Sequence, residues 1–390
     1  MSEIKVNSIK GVGASTAAIT VNNTDGTCTA NITNNLSNRN KIINGSMICS
    51  QRGSSFTSDG YTLDRFERQQ SSDGAFTVTQ STTSPDGFAN SLKVDVTTAD
   101  TSLSAAQYAQ IKYKIEAQDL QDLAFGTSAA KRIVLSFYVR SNKTGNYAFA
   151  IMQSDNSFKM ASFQYTINSA DTWERKTIII AGDTSGVINN DIGDGLLLQW
   201  ALAAGSNLTS GSLRSTFTTR VAADQYAGQG VNLLDSTSNE WYITGVQLEV
   251  DQTGSGVATD FEHRSFAQEL ALCQRYFCKS YRQGVNPGAA SSAADIVSKR
   301  NEDYSNGRTD HHINYSYPMP MRSTPTLTFY SYDGTSGKVT ESNWGFDSAS
   351  NINAQGAVKH GRRNISSIQF GGSLSAGKFA YFHFTADAEL

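Results

Sequence analysis

Charge is scarce in this chain: only 17% of its 390 residues are Asp, Glu, Lys or Arg, against about 25% in ordinary soluble domains. The 32 basic and 35 acidic residues leave a formal net charge of −3, so the chain carries no basic footprint for nucleic acid. Long apolar runs are also missing. None approaches the roughly 18 residues of a membrane-spanning helix, and the first ten residues lack the apolar stretch of a secretory signal. No membrane insertion is therefore expected. Cysteine is rare: Cys28, Cys49, Cys273 and Cys278 are too few and too scattered for a disulfide framework. On a helix, Cys273 and Cys278 would point about 140° apart, which suits neither a disulfide nor a shared metal site. Buried free thiols are the expectation, with no metal and no cofactor.

Serine, threonine and glycine fill the space that charge leaves, at 48, 36 and 32 residues. With 38% hydrophobic and 10% aromatic residues the chain is too apolar for disorder. This composition predicts an all-β protein with a polar surface. Residues 1–40 stand apart. Ile4, Val6, Ile9, Ile19 and Val21 punctuate a run of Asn, Thr, Ser, Gly and Ala that is too polar to build its own core. Such a segment is either a flexible tail or a set of strands that pair with another chain. The β-branched residues favour the second, an assembly and attachment segment.

From residue 41 to 264, strand signals recur between Gly/Asn/Asp/Ser turns, as in a β-sandwich. Ile133, Leu135, Phe137 and Val139 alternate onto one face, and Tyr147–Ile151, Phe163–Ile167, Trp173–Ile180, Gly195–Leu202 and Trp241–Val250 read as further strands. Trp173 and Trp241, which open strands, are expected in the core. Residues 265–282 read as a connecting helix. Ser265 and Gln268 have capping-box spacing, and Phe266, Leu270, Cys273 and Phe277 form an apolar stripe. Residues 283–390 return to β signals and predict a second, smaller β-sandwich. Its strand at 378–385 carries aromatics on both faces and should be covered on both, within a sandwich or by a neighbouring subunit.

Catalytic motifs are missing. There is no Gly-x-Ser-x-Gly elbow, no phosphate loop and no His-Glu-x-x-His. The adjacent His311 and His312 would point to opposite faces of a strand. Two clusters are candidate binding residues. Tyr330, Tyr332 and Trp344 form a sugar-stacking platform or, equally, pack between subunits. His360, Arg362 and Arg363, beside Lys359, form a small basic cluster whose plain reading is a solvated loop.

A set of ordered motifs runs through the middle of the chain: Ile43-Asn44-Gly45-Ser46, Gln51-Arg52-Gly53, Tyr61–Phe66, Lys112–Glu116, Val134–Ser141, Asp171–Glu174, Val246–Glu249, Thr259–Arg264 and Glu269–Tyr276. In this it resembles the jelly-roll modules of tail-fibre and other virion appendage proteins of tailed phages, marine ones in particular. The ending Ala386–Leu390 is similar to theirs as well. The same module is similar to carbohydrate-binding jelly rolls, which implies glycan binding on the sandwich face. Those modules often frame a structural calcium, which the resemblance would allow here, although Ile243-Thr244-Gly245-Val246 lacks the paired Asp that such modules tend to carry. The resemblance implies a homotrimeric, non-catalytic appendage made in the host cytoplasm and built into the virion. It would attach to other tail or neck proteins through residues 1–40 and to a host-surface glycan or protein distally. The rival expectations are a purely architectural neck or tail adaptor and a glycan-cleaving depolymerase on the same scaffold.

Overall fold

The computed structural model describes residues 6–9, 19–21, 24, 28–30, 38–252, 254–290, 296–300, 310–343, 349–370 and 377–390. Three short strands, β1 (Ser8–Ile9), β2 (Ile19–Val21) and β3 (Cys28–Ala30), pair in that order as an antiparallel sheet.

The sandwich begins with β4 (Ser55–Phe56), β5 (Gly60–Tyr61), β6 (Phe66–Ser71), β7 (Ala75–Ser81), β8 (Ser91–Thr98) and β9 (Tyr108–Glu116). It continues with β10 (Ile133–Ser141), β11 (Gly145–Gln153), β12 (Lys159–Ile167), β13 (Glu174–Ile180), β14 (Asp194–Ala204) and β15 (Glu240–Val250). Two six-stranded sheets result, in the orders β13-β10-β15-β8-β7-β4 and β12-β11-β14-β9-β6-β5. The late strands β14 and β15 lie inside the sheets, so neither sheet is complete until most of the chain is present. The unit is a jelly-roll β-sandwich, and the chain is all-β as its composition predicts.

Alternation explains the core. Ile133, Leu135, Phe137 and Val139 are all fully buried, and they meet Trp200, Leu198 and Trp241 between the sheets. Phe137 and Trp200 pack edge to face at 6.0 Å. Truncating Phe137 to Ala would cost about 3–5 kcal/mol. Glycine is required at two places by close approach. A Cβ on Gly45 would lie 2.2 Å from the Val246 carbonyl oxygen, so only glycine lets the opening loop lie on the closing strand. Gly245 sits at a bulge in β15 with φ +61°, and a Cβ there would meet the Phe88 ring at 2.8 Å.

The helix α2 (Phe266–Gln274) starts at the expected capping box: the Gln268 N–H donates to Ser265 Oγ, and the Ser265 N–H donates back to Gln268 Oε1. (A single short turn, α1, Ser206–Thr209, lies earlier in the chain.) The predicted stripe holds over its second half: Cys273 and Phe277 are buried and Leu270 half-buried, whereas Phe266 is 50% exposed and the charged Glu269 takes a place on the buried face. The helix docks through polar groups. Glu269 accepts the Asn44 N–H, while Arg275 and Tyr276, just past its end, both bind Glu116 on β9.

The second unit comprises β16 (Phe277–Lys279), β17 (Val297–Arg300), β18 (Asp310–Ser316), β19 (Thr326–Tyr330), β20 (Lys338–Ser342), β21 (Ser350–His360), β22 (Asn364–Phe370) and β23 (Phe379–Asp387). Its first strand thus falls within the stretch read as a connecting helix. These strands form one eight-stranded sheet centred on β23, which pairs β16 and β19 along one half and β17 and β20 along the other. Ile365 and Ile368 of β22 share a core with Phe382 and Phe384 of β23, so the sheet curls over on itself. As predicted, β23 is buried on both faces. No neighbouring subunit is needed to do this: the Tyr281 ring stacks on His383 at 3.8 Å, and Ser280 Oγ lies 3.0 Å from His383 Nδ1.

Candidate functional site

The two outward faces of the jelly roll differ. On the β12-β11-β14-β9-β6-β5 sheet, the strand register pairs Gln164 with Ala148 and aligns Ala201, Gln110 and Gln69 in one row. Ser162, Ala150, Gln199, Lys112 and Glu67 form the next. Segment 205–231 lies over half of this face. Its Tyr226 is fully buried and packs with Ala148, Ala150, Met152, Met160, Leu197 and Ala201. The phenol donates to Gln110 Oε1, and Gln225 Nε2 donates to Gln199 Oε1 at 3.2 Å. The segment also extends the edge of β12, with the Ser162 N–H donating to the Arg214 carbonyl at 2.7 Å.

Residues 387–390 close the other end of the same face. Tyr61 Oη and Lys114 Nζ donate to the Leu390 main-chain oxygen at 2.7 and 2.6 Å. Glu389 is paired with Arg65, whose guanidinium stacks 3.5 Å from the Tyr276 ring, and with Arg52 at 3.3 Å. Burial alone would lower the pKa of Arg65, but Glu389 reverses this and leaves it well above its ordinary value. Arg322 completes the clasp, donating to the carbonyls of Ala388 and Glu389 from the second unit and of Ile192 from the first. Segment 205–231 and residues 387–390 thus cover much of this face with the chain itself.

The other sheet is partly open. Segment 255–264 covers Gln247 and Glu249, but beyond it the register aligns Arg140, Tyr242, Lys93 and Thr79 across four strands. Trp173 was expected in the core. It is half-buried at the end of this row, edge-on to Tyr242 at 6.0 Å, because it precedes β13 and so is not held to the inward alternation of that strand. Arg140 and Lys93 lie 5.0 and 5.8 Å from the Tyr242 ring centroid. Glu240 accepts from Lys93 Nζ and Tyr242 Oη, both at 2.6 Å. Burial raises the Tyr242 pKa and its bond to Glu240 raises it further, while Lys93 and Tyr242 together lower that of Glu240 against the opposing effect of burial. The row presents Trp173 half-exposed beside the buried Tyr242, with Arg140 paired to Asp171 and Lys93 to Glu240 at the surface. No motif announced it; only the strand register shows it.

The candidates read from the sequence are not gathered into one site. Tyr330 packs against Tyr281 with ring centroids 5.9 Å apart, Tyr332 donates its N–H to Thr340 Oγ1, and Trp344 lies outside the described residues. His360 Nε2 is 2.9 Å from the Pro325 carbonyl, and Arg362 Nε donates to the Met321 carbonyl. Arg362 and Arg363 are exposed at the β21–β22 turn. In the opening segment Val6 and Ile9 are exposed, Ile19 and Val21 are half-buried, and Ile4 lies outside the described residues.

No protein-family model matches the chain, and neither does any curated protein. Three solved structures show what the chain is similar to. A putative sugar binding protein from Bacteroides thetaiotaomicron is 13% identical with a TM-score of 0.30, over 54% of this chain and 100% of that one. The family 11 carbohydrate-binding module of a cellulosomal cellulase from Clostridium thermocellum is 10% identical with a TM-score of 0.27, over 54% and 98%. The enzymatically active domain of tailspike protein 4 of bacteriophage CBA120 is 12% identical with a TM-score of 0.31, over 54% of this chain and 21% of that one. The present chain thus spans about a fifth of that tailspike structure. The architecture given above rests on this chain's own strand order.

Proposed function

We infer that this protein is a non-catalytic attachment component of a tailed-phage virion, a homotrimeric fibre-like appendage that binds host-surface glycans. What carries the reading is the half-open row on the second sheet, Trp173, Arg140, Tyr242, Lys93 and Glu240. Sugars present apolar C–H faces to aromatic rings and hydroxyls to charged planar groups, and this row supplies both at one surface. The motifs shared with phage appendages, from Ile43-Asn44-Gly45-Ser46 to Glu269–Tyr276, supply the virion context. Adhesion suits such a surface: three equivalent weak sites raise apparent affinity without any new contact when all engage one surface.

Carboxylate chemistry supports the non-catalytic side of the reading. Buried Glu116, Asp64, Glu389, Glu269 and Asp183 each lie within salt-bridge distance of an arginine or lysine. Such commitments suit a scaffold better than a paired general acid and base, which need an open space for substrate between them. Purified protein incubated with host surface polysaccharide should sediment with it and release no new reducing ends. Arg140→Ala combined with Lys93→Ala should lose the co-sedimentation. New reducing ends would favour a depolymerase. Binding to another virion protein with none to polysaccharide would favour an architectural adaptor. A solution mass of one 42.1 kDa chain would remove the trimer.

A further inference from the structure

Two thiols meet deep between the jelly roll and the helix that follows it. Cys49 lies in the opening loop, Asp64 shortly before β6, and Cys273 near the end of α2; all three are buried. The two Sγ atoms and one Asp64 carboxylate oxygen lie within 4.8 Å of one another. We propose that Cys49, Asp64 and Cys273 form a site for a thiophilic divalent cation of the zinc type, which fastens α2 to the opening loop.

Three observations support it. The backbone that carries the ligands is already fixed by one amide: Asn44 accepts the Cys49 N–H at 2.9 Å and donates to the carbonyls of Cys49 and Asp64 at 2.8 and 3.0 Å. The third ligand is held by the docking of α2, whose Glu269 accepts the Asn44 N–H. A site needs this kind of fixed framework before a metal arrives. The donor set is also selective, because two sulfurs and one oxygen favour tetrahedral zinc, cadmium or cobalt over magnesium or calcium.

Charge balance is the strongest of the three. Binding follows M²⁺ + 2 Cys-SH + Asp-COO⁻ → complex + 2 H⁺, so two protons leave as two positive charges arrive. The net charge of the buried cluster does not change, and the Asp64 carboxylate is already offset by Arg52, 3.6 Å away. The metal therefore avoids the penalty of adding charge to a dry interior. The fourth tetrahedral position falls to a water.

Cobalt(II) is the probe for the test, because its thiolate complexes absorb in the near ultraviolet and tetrahedral sites add strong visible bands. Full-length protein, refolded under reducing, metal-free conditions, should take up one Co²⁺ per chain with both signatures and release two protons. Cys49→Ser or Cys273→Ser should halve the thiolate band and weaken Co²⁺ binding by more than about tenfold, since even second-shell losses cost 10–100-fold. Cys278→Ser should leave both unchanged. X-ray absorption on zinc-loaded wild-type protein should find two sulfur ligands, and this reading does not depend on any variant folding. Zinc bound by oxygen and nitrogen alone would overturn the site. So would a Co²⁺ spectrum that survives loss of both cysteines, or a Cys49–Cys273 disulfide that forms regardless of metal under the reducing conditions.

Discussion

The two outer faces of the jelly roll share polar side chains such as Gln, Lys and Glu but end differently. One also carries an apolar patch of Ala148, Ala150, Met152, Met160, Leu197 and Ala201. It is roofed by segment 205–231 and residues 387–390, which bury Tyr226 and Glu389 against it. The other keeps Trp173, Arg140 and Lys93 half-exposed. The difference shows that the strands supply a surface, while the long connections decide whether it serves stability or binding. Substitutions on the roofed face should therefore be read in unfolding free energy, and those on the open face in binding.

The largest expected effect is at the clasp. Glu389→Ala leaves the buried Arg65 guanidinium without its carboxylate against the Tyr276 ring, and denaturant unfolding should show a loss of about 3–5 kcal/mol. A loss below about 1 kcal/mol would mean that water reaches this end of the roof. Next is Tyr226→Ala, which empties the space over Ala148, Ala150 and Leu197 and should cost about 3 kcal/mol. If the variant instead keeps its stability and gains polysaccharide binding, the roof is a cover over a second binding face.

Acid should act next at the rim of the roofed face. Burial pushes the Asp183 pKa up, but hydrogen bonds from Lys159, Ser185 and Gln153 outweigh this and hold it at about 2, below its ordinary 3.8. A depressed carboxylate pKa contributes stability above the unfolded value, and that contribution is lost as pH falls from 3.8 towards about 2. Urea midpoints measured across that interval should fall less steeply in Asp183→Asn than in the wild type. The smallest stability change belongs to the open face. Trp173→Ala should cost under about 1 kcal/mol, as expected of a half-exposed position, yet weaken polysaccharide binding measurably. A large stability loss without any change in binding would assign Trp173 to packing.

Much of the framework is legible in the residues. Ile133, Leu135, Phe137 and Val139 declare their face because a half-buried strand must alternate, and the capping box at Ser265 is local chemistry. What long connections do is not legible in the same way. Nothing periodic marks 205–231, so the burial of Tyr226 depends on a surface made by four other strands. The same limit hid the cover over β23, because Tyr281 and His383 are far apart in sequence. The stripe on α2 placed Cys273 and Phe277 correctly but misled at its start, where Phe266 is exposed and Glu269, bonded to the Asn44 N–H, is buried instead. Cys49 and Cys273 come together only once the helix has docked. Trp173 and the row beside it needed the strand register before they could be seen as one surface.

The clasp also sets a time order. Arg65 and Glu389 are 324 positions apart, so their contact can form only after nearly every intervening strand has found its place. Closing a loop that long costs little more free energy than closing a shorter one, since the entropy grows only with the logarithm of length. It is slow, however, because distant contacts are rewarded last. Interactions that form after the rate-limiting step act mainly by slowing unfolding. The molecule should therefore fold sluggishly and, once closed, resist protease for longer than its equilibrium stability alone would suggest.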